Sequence, residues 1–114
     1  MSSFDILLIA HLVGDYLLQI GWMAGNKTKI WLANLIHSAV YTLTIAVFAA
    51  LFIKDFSPWA YVLIFVSHAI IDRRSISSFW VISIMTTPES ERGWLTIVVD
   101  QIFHLLILFI ALNL

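Results

Sequence analysis

Four long apolar stretches, joined by short polar connections, constrain the fold of this chain more than any other feature. They cover about residues 4–23, 30–53, 59–72 and 94–114. A helix needs roughly 20 predominantly apolar residues to cross a bilayer, and 114 residues leave room for four such helices and little else. The pattern predicts an all-α fold, an integral membrane bundle of four transmembrane helices, in which residues 1–114 form a single transmembrane helical domain.

The composition supports lipid as the solvent of this chain. Hydrophobic residues make up 61% of the sequence and charged residues only 11%, against about 25% charged in ordinary soluble domains. The net charge of -1 and the lack of a Lys/Arg run argue against nucleic acid as a partner. The absence of cysteine excludes disulfides and thiolate metal sites. No positive segment precedes the first stretch, so we expect it to stay as a membrane helix rather than a cleaved signal.

The connection between the third and fourth stretches allows two interpretations. Its first half, 79–85, is apolar, and its second half, 87–93, is a polar turn. The segment 75–86 is therefore either a short helix lying in the membrane interface or an extension of the third helix. The third stretch has a short apolar part for a span, so thinning of the bilayer would have to help it cross.

The cations beside the stretches predict the orientation. The second connection carries only Lys54. The first and third connections together carry the other five cations, which are Lys27, Lys29, Arg73, Arg74 and Arg92. Because Lys and Arg collect on the cytoplasmic side, we expect a multi-pass membrane protein with both termini outside the cytoplasm. We expect Lys27 and Lys29 to act as topology signals at lipid headgroups, although Lys27 is also close enough to the polar layer to contact a substrate.

All four histidines fall inside the apolar stretches, and three of them have a carboxylate four residues away. The three pairs are His11 with Asp15, His68 with Asp72, and Asp100 with His104. Residues four apart share a helix face. In an up-down bundle, these pairs and His37 all fall toward the cytoplasmic leaflet. Gln19 continues the first polar stripe, and Tyr41 shares a face with His37.

Such a layer predicts a divalent metal site, because an ionised Asp within a membrane helix costs about 2.5–3.5 kcal/mol and three of them need a common counter-charge. Imidazole and carboxylate favour Zn, with Mn or Fe as alternatives. The candidate metal ligands are His11, Asp15, His68, Asp72, Asp100 and His104. The candidate catalytic residues are Asp15, Asp72 and Asp100, and the candidate supporting or substrate-contacting residues are Gln19, Lys27, His37 and Tyr41. The competing interpretation is a set of hydrogen-bonded His–Asp struts without metal.

Four blocks of sequence carry a resemblance to a known family. They are AHLVGDYLLQIGWMAGNK at 10–27, IHSAVYTL at 36–43, SHAIID at 67–72 and DQIFHLL at 100–106. At these blocks the chain resembles a small bacterial and phage membrane-protein family catalogued as a domain of unknown function, number 3307. The resemblance implies the bacterial inner (cytoplasmic) membrane as the location, and it adds Gln101 to the supporting residues. The polar positions that it implies are shared by the family are His11, Asp15, Gln19, Lys27, His37, His68, Asp72, Asp100, Gln101 and His104. Arg73 and Arg74 depart from the family pattern, which leaves the end of the third helix open, and the resemblance implies no activity.

The leading hypothesis is an intramembrane His/Asp metal-binding site near the cytoplasmic leaflet, in a metal-dependent hydrolase of a lipid-like or membrane-peptide substrate. Whether the protein is an enzyme at all stays open at this point. One alternative is an ion or proton pathway, since buried Asp and His residues also form relays. Another is a non-catalytic phage membrane factor, such as a holin-like or exclusion protein. The lipid bilayer is the expected partner, and a homo-oligomer is compatible with each hypothesis.

Overall fold

The computed structural model describes residues 1–114, and all of its regular structure is helical. Helix α1 (Ser3–Leu12) continues into a π-helical turn (Val13–Leu17), and the short α2 (Gly21–Asn26) follows. The next two helices are α3 (Trp31–Phe52) and α4 (Pro58–Ile71). Helix α5 (Ser75–Phe79) continues into a second π-helical turn (Trp80–Ile84), and a 3-10 turn (Glu89–Glu91) leads into α6 (Arg92–Ala111). The all-α prediction is confirmed.

The four long segments close into a ring. Helix α1 packs on α3, α3 on α4, α4 on α6, and α6 on α1. Ser3, Lys54, Ser57 and Leu114 line one hollow at an end of the bundle. Both termini and the α3–α4 connection therefore share this end, and the α1–α3 and α4–α6 connections lie at the other.

Local sequence signals explain where two of these helices begin. The Asp5 backbone N–H donates to Ser2 Oγ and the Ser2 N–H donates to Asp5 Oδ2, both at 3.1 Å. This reciprocal pair satisfies two N–H groups that the first turn of α1 would otherwise leave unpaired. At the start of α4, Pro58 occupies the first turn and the Trp59 N–H donates to Ser57 Oγ, where proline's missing N–H costs nothing.

The prediction of one uninterrupted helix over 4–23 is wrong. The Leu18 N–H donates to the Val13 carbonyl five residues back, which makes the turn π-helical rather than α-helical. The backbone then becomes extended at Ile20, with φ -76° and ψ 162°, and α2 begins as a separate helix that packs on α3. Because the π-helical turn is wider than an α-helical turn, the residues after Asp15 do not keep the four-residue spacing along the bundle interior.

The segment after α4 is separate from it, so its interpretation as an extension of the third helix is wrong. Arg74 takes the left-handed conformation, with φ 63°. This conformation does not continue a right-handed helix. The new helix α5 begins at Ser75 and packs on α6 together with the π-helical turn that follows it. Its predicted place at a membrane interface stays a prediction.

Two helices are long and apolar enough to cross a membrane by length and composition, Trp31–Phe52 and Glu89–Ala111. Helix α4 has 14 residues, and at about 1.5 Å per residue it extends roughly 21 Å, less than the ~30 Å hydrocarbon core. The bundle of four transmembrane helices therefore stays a prediction, whereas the four-helix packing is observed.

Polarity is distributed differently at the two ends of the interior. The half nearest the termini holds an apolar cluster that includes Leu7, Ile45, Ile64 and Leu108. The other half holds most of the buried polar residues, among them every histidine and Asp15, Asp72 and Asp100. Large apolar side chains instead cover the outside, where Leu43, Leu51 and Phe109 are each at least 60% exposed. The polar interior half is the candidate site.

Candidate metal centre

Asp15, His37, His68 and Asp72 converge in the polar half of the bundle, and we call them the four-residue centre. His37 Nε2 lies 3.0 Å from both Asp15 Oδ1, to which it is hydrogen bonded, and Asp72 Oδ2. His68 Nε2 lies 3.4 Å from Asp15 Oδ1 and 3.8 Å from Asp72 Oδ2. All four side chains are at most 2% exposed. The π-helical turn, α3 and the end of α4 each contribute to the group.

These spacings match the edges of a metal coordination sphere. Donors bound to zinc at about 2.0–2.1 Å in a tetrahedron are about 3.3–3.4 Å apart, and the four distances above run from 3.0 to 3.8 Å. His68 Nε2 and Asp72 Oδ2 are buried and make no well-directed hydrogen bond, although polar atoms surround them. Buried polar atoms are seldom left unpaired. Because Asp72 Oδ2 also lies 3.1 Å from Lys27 Nζ, His68 Nε2 is the donor with the clearest free lone pair for a metal ion.

Neighbouring side chains orient His68 for this role. Its Nδ1 lies 3.1 Å from Ser38 Oγ, and the Tyr41 ring stacks on its imidazole with centroids 4.0 Å apart. When Nδ1–H donates to the Ser38 hydroxyl, Nε2 keeps its lone pair and faces the carboxylates. Metal-binding histidines are commonly held in this way, through a hydrogen bond from the other ring nitrogen.

Gly14 lets the first segment approach α3 closely enough to place Asp15. A Cβ at Gly14 would lie 3.2 Å from Tyr41 Cδ2 and 3.3 Å from both Tyr41 Cα and Thr44 Cβ. Because glycine has no Cβ, the turn that carries Asp15 can lie against α3 without this steric conflict. Single π-helical turns of this kind are often found at functional sites.

A second group, the three-residue centre, consists of Asp72, Asp100 and His104. His104 Nε2 lies 3.0 Å from Asp72 Oδ1, to which it is hydrogen bonded, and 3.5 Å from Asp100 Oδ2. Asp72 belongs to both centres, with Oδ2 in the first and Oδ1 in the second. The two centres are therefore continuous.

Lys27 contributes a buried positive charge. Its Nζ lies 3.1 Å from Asp72 Oδ2, and the residue is 5% exposed. The Asn34 amide donates to the carbonyls of Lys27 and Ala69 at 3.1 and 3.0 Å, which ties the end of α2 to α4. The expectation that Lys27 acts at headgroups is wrong in the structure, because the fold of α2 turns it inward, whereas Lys29 is exposed.

His11 lies outside both centres, although the sequence placed it among the ligands. Its Nδ1 is 2.7 Å from the Tyr41 hydroxyl and its Nε2 is 2.7 Å from Gln101 Oε1. The Gln101 amide donates to Asp15 Oδ2 at 3.1 Å and to Asp100 Oδ2 at 3.3 Å. Both ring nitrogens of His11 are thus occupied, and His11, Tyr41 and Gln101 form a hydrogen-bonded network that supports the carboxylates.

Three further positions differ from the sequence analysis. His37, predicted as a supporting residue, lies in the four-residue centre. Gln19 follows the π-helical turn, is half-buried, and its Oε1 has no hydrogen-bond partner. Ser38 was missed, although it shares a helix face with Asn34 and Tyr41 at steps of four and three. The assignments of metal ligands and catalytic residues stay predictions.

Comparison with known proteins adds a family without an activity. No curated protein and no solved structure matches this chain significantly. A family profile described as "Protein of unknown function (DUF3307)" matches residues 4–114, which includes every residue of both centres. The chain therefore belongs to the DUF3307 family.

Proposed function

We propose that this chain is an integral membrane protein that binds a divalent metal ion between Asp15, His37, His68 and Asp72. One observation carries the proposal: four buried donor atoms from three segments converge at coordination distances, and two of them lack a well-directed hydrogen bond. Imidazole with carboxylate favours Zn, and Mn or Fe are the alternatives.

The charges of the polar half support a divalent ion. Asp15, Asp72 and Asp100 are buried, and Lys27 is the buried cation beside them. With ionised carboxylates and neutral imidazoles, three negative charges and one positive charge leave an excess of two negative charges. One divalent cation neutralises this excess, as would protonation of two of the neighbouring imidazoles, and buried charge that is not compensated is strongly unfavourable.

The polarity of the surface supports a membrane location. Soluble proteins rarely expose large contiguous apolar patches, whereas the outer faces of these helices carry residues such as Leu43, Leu51 and Phe109. We assign all four segments of the ring to membrane spans, with thinning of the bilayer around the short α4. The cation-rich end would face the cytoplasm of a bacterial inner membrane, and both termini would lie outside it.

The reaction that we assign is metal-dependent hydrolysis of a lipid-like or membrane-peptide substrate. A metal ion bound here would polarise the bond to be cleaved and lower the pKa of a coordinated water. Because the four-residue centre already supplies four donors, this water would be a fifth ligand. Asp100 is our candidate general base, because its Oδ1 is buried without a hydrogen-bond partner. It would take the proton of the attacking water and pass it to the leaving group.

A proton or ion pathway is the second candidate, and a continuous polar network favours it. Contacts lead from His11 through Gln101 to Asp15, and from His37 through Asp72 to Lys27. The apolar cluster fills the other half of the interior, so one chain provides only half of a path. Flux through liposomes that contain the purified protein, without any hydrolytic activity, would favour this candidate.

A metal measurement on two variants tests the proposal. We expect at least one ion per chain in detergent-purified protein that has been loaded with Zn, Mn or Fe and dialysed. His68→Gln should lose the ion of the four-residue centre, whereas Asp55→Asn, at an exposed position at the other end of the bundle, should retain it. Wild-type protein without stoichiometric metal would refute the proposal. So would folded His68→Gln protein that binds as much metal as the wild type.

A further inference from the structure

The two carboxylate oxygens of Asp72 face different sets of side chains, so one carboxylate could bind two metal ions. We infer that Asp72, Asp100 and His104 bind a second divalent cation, so that the Asp72 carboxylate bridges a two-metal centre. The inference rests on the proposed function, because the first ion occupies the four-residue centre.

The donor geometry around Asp72 supports a bridge. Its Oδ2 faces His37 Nε2 at 3.0 Å and His68 Nε2 at 3.8 Å, whereas its Oδ1 faces His104 Nε2 at 3.0 Å. His104 Nε2 is also 3.5 Å from Asp100 Oδ2. These distances are again those between donors that share one ion, and they fall on opposite oxygens of a single carboxylate. Two-metal sites typically hold their ions about 3.5–4 Å apart, a separation that one bridging carboxylate can span.

An unpartnered atom gives independent support for the second ion. Asp100 is 1% exposed, and its Oδ1 has no hydrogen-bond partner, while the Gln101 amide donates to the other oxygen. A buried carboxylate oxygen that is left free in this way is rare unless a cation or a water takes it. Asp100 can therefore bind the second ion through Oδ2, which lies 3.5 Å from His104 Nε2, and through the free Oδ1. With two ions Asp100 is thus a ligand, and the general-base role proposed above applies only to a centre with one ion.

The two centres differ in how many donors they supply. The four-residue centre provides enough ligands to close a tetrahedral ion, as in structural sites, whereas the three-residue centre leaves a position for water or substrate, as in catalytic sites. We therefore assign the stabilising role to the first ion and the reacting role to the second. Asp100 and His104 lie on α6, so the second ion would join α6 to the end of α4. Two divalent ions exceed the charge of the three buried carboxylates by one, so the open position would hold an anionic ligand and the Lys27 ammonium would have to leave Asp72.

Counting manganese ions per chain tests this inference. We expect two Mn²⁺ per chain in the wild type and one in the double variant Asp100→Asn, His104→Gln. The Asp55→Asn variant removes an exposed carboxylate at the opposite end of the bundle and should keep two. A wild type with no bound ion would refute the proposed function. A wild type with one ion that the double variant retains would refute only the second site, and so would a double variant that retains two.

A spectroscopic measurement on the wild type avoids any dependence on the folding of variants. Two Mn²⁺ ions that share a carboxylate are magnetically coupled, so we expect a coupled electron paramagnetic resonance spectrum at full loading. The signal of isolated Mn²⁺ at two ions per chain would show that the ions are far apart and would overturn the bridged centre.

Discussion

Replacing Gly14 with alanine should damage both the bundle and the metal centre. The added Cβ would lie 3.2 Å from Tyr41 Cδ2 and 3.3 Å from Tyr41 Cα and Thr44 Cβ. Carbon atoms prefer separations of about 3.5–4.0 Å, so the segments must separate by a few tenths of an ångström. Tyr41 cannot easily yield, because it bonds His11 through its hydroxyl and stacks on His68.

The expected cost follows from two opposing effects. Overpacking of this kind typically costs about 1–3 kcal/mol, and the preference of helices for alanine over glycine returns up to about 1 kcal/mol. We expect Gly14→Ala to lower the free energy of unfolding by about 1–2 kcal/mol. We also expect metal affinity to fall by about tenfold, the equivalent of 1.4 kcal/mol, because Asp15 moves with the turn.

Reversible unfolding in mixed detergent and metal titration measure these two quantities. Gly25→Ala is the matched control, since nothing lies within 4 Å of a Cβ at that position in α2. The control should be neutral or slightly stabilising. A Gly14→Ala protein as stable as the control, with unchanged metal affinity, would refute the argument that close approach at this glycine positions Asp15.

Three further predictions follow from the same geometry. Ser38→Ala should weaken metal binding by about 10–100-fold, as found when the group that orients a ligating histidine is removed, and titration with Zn²⁺ measures this. Metal affinity should fall as the pH is lowered from 8 to 5.5, because protons compete with the metal for imidazole; calorimetry over this range should show the loss, and a flat profile would exclude histidine ligands. A reporter enzyme that is active only outside the cytoplasm should be active when it is fused to either terminus. An inactive fusion at either terminus would contradict the proposed orientation.

The histidine and aspartate positions could be predicted because helical spacing is a local property. Residues four apart share a face, so the sequence identifies polar stripes and the end of the bundle where they gather. Spacing does not give the rotation of one helix against another. Asp15 therefore meets His37 and His68 from other helices, while His11, its partner by spacing, bonds Tyr41 and Gln101.

The break after the first helix could not be predicted for a related reason. The residues at 18–20 are Leu, Gln and Ile, which contain no glycine or proline to indicate an interruption. The π-helical turn adds one residue to the repeat, so Gln19 leaves the stripe that four-residue spacing assigns to it. The break also allows α2 to turn back on α3, and this return brings Lys27 into the interior.

The inward position of Lys27 leads to a prediction about metal loading. Its ammonium lies 3.1 Å from Asp72 Oδ2, the oxygen that faces both histidines of the four-residue centre. An ammonium and a divalent ion on the same oxygen repel each other, and the low dielectric of the interior strengthens this repulsion. Metal binding should therefore drive the Lys27 side chain away from Asp72 and toward the polar end of the bundle.

Amine labelling followed by mass spectrometry measures this displacement. The Lys27 amine is buried and should react slowly without metal, and its reaction should speed up at least severalfold at saturating Zn²⁺. Lys29 is exposed on the same connection and serves as the internal control, because its reaction rate should not change. The Lys27→Gln variant should bind metal more tightly than the wild type, since it removes the competing charge. If Lys27 stays protected while the ion is bound, the ammonium and the metal occupy separate oxygens, and Asp72 Oδ2 is not a ligand.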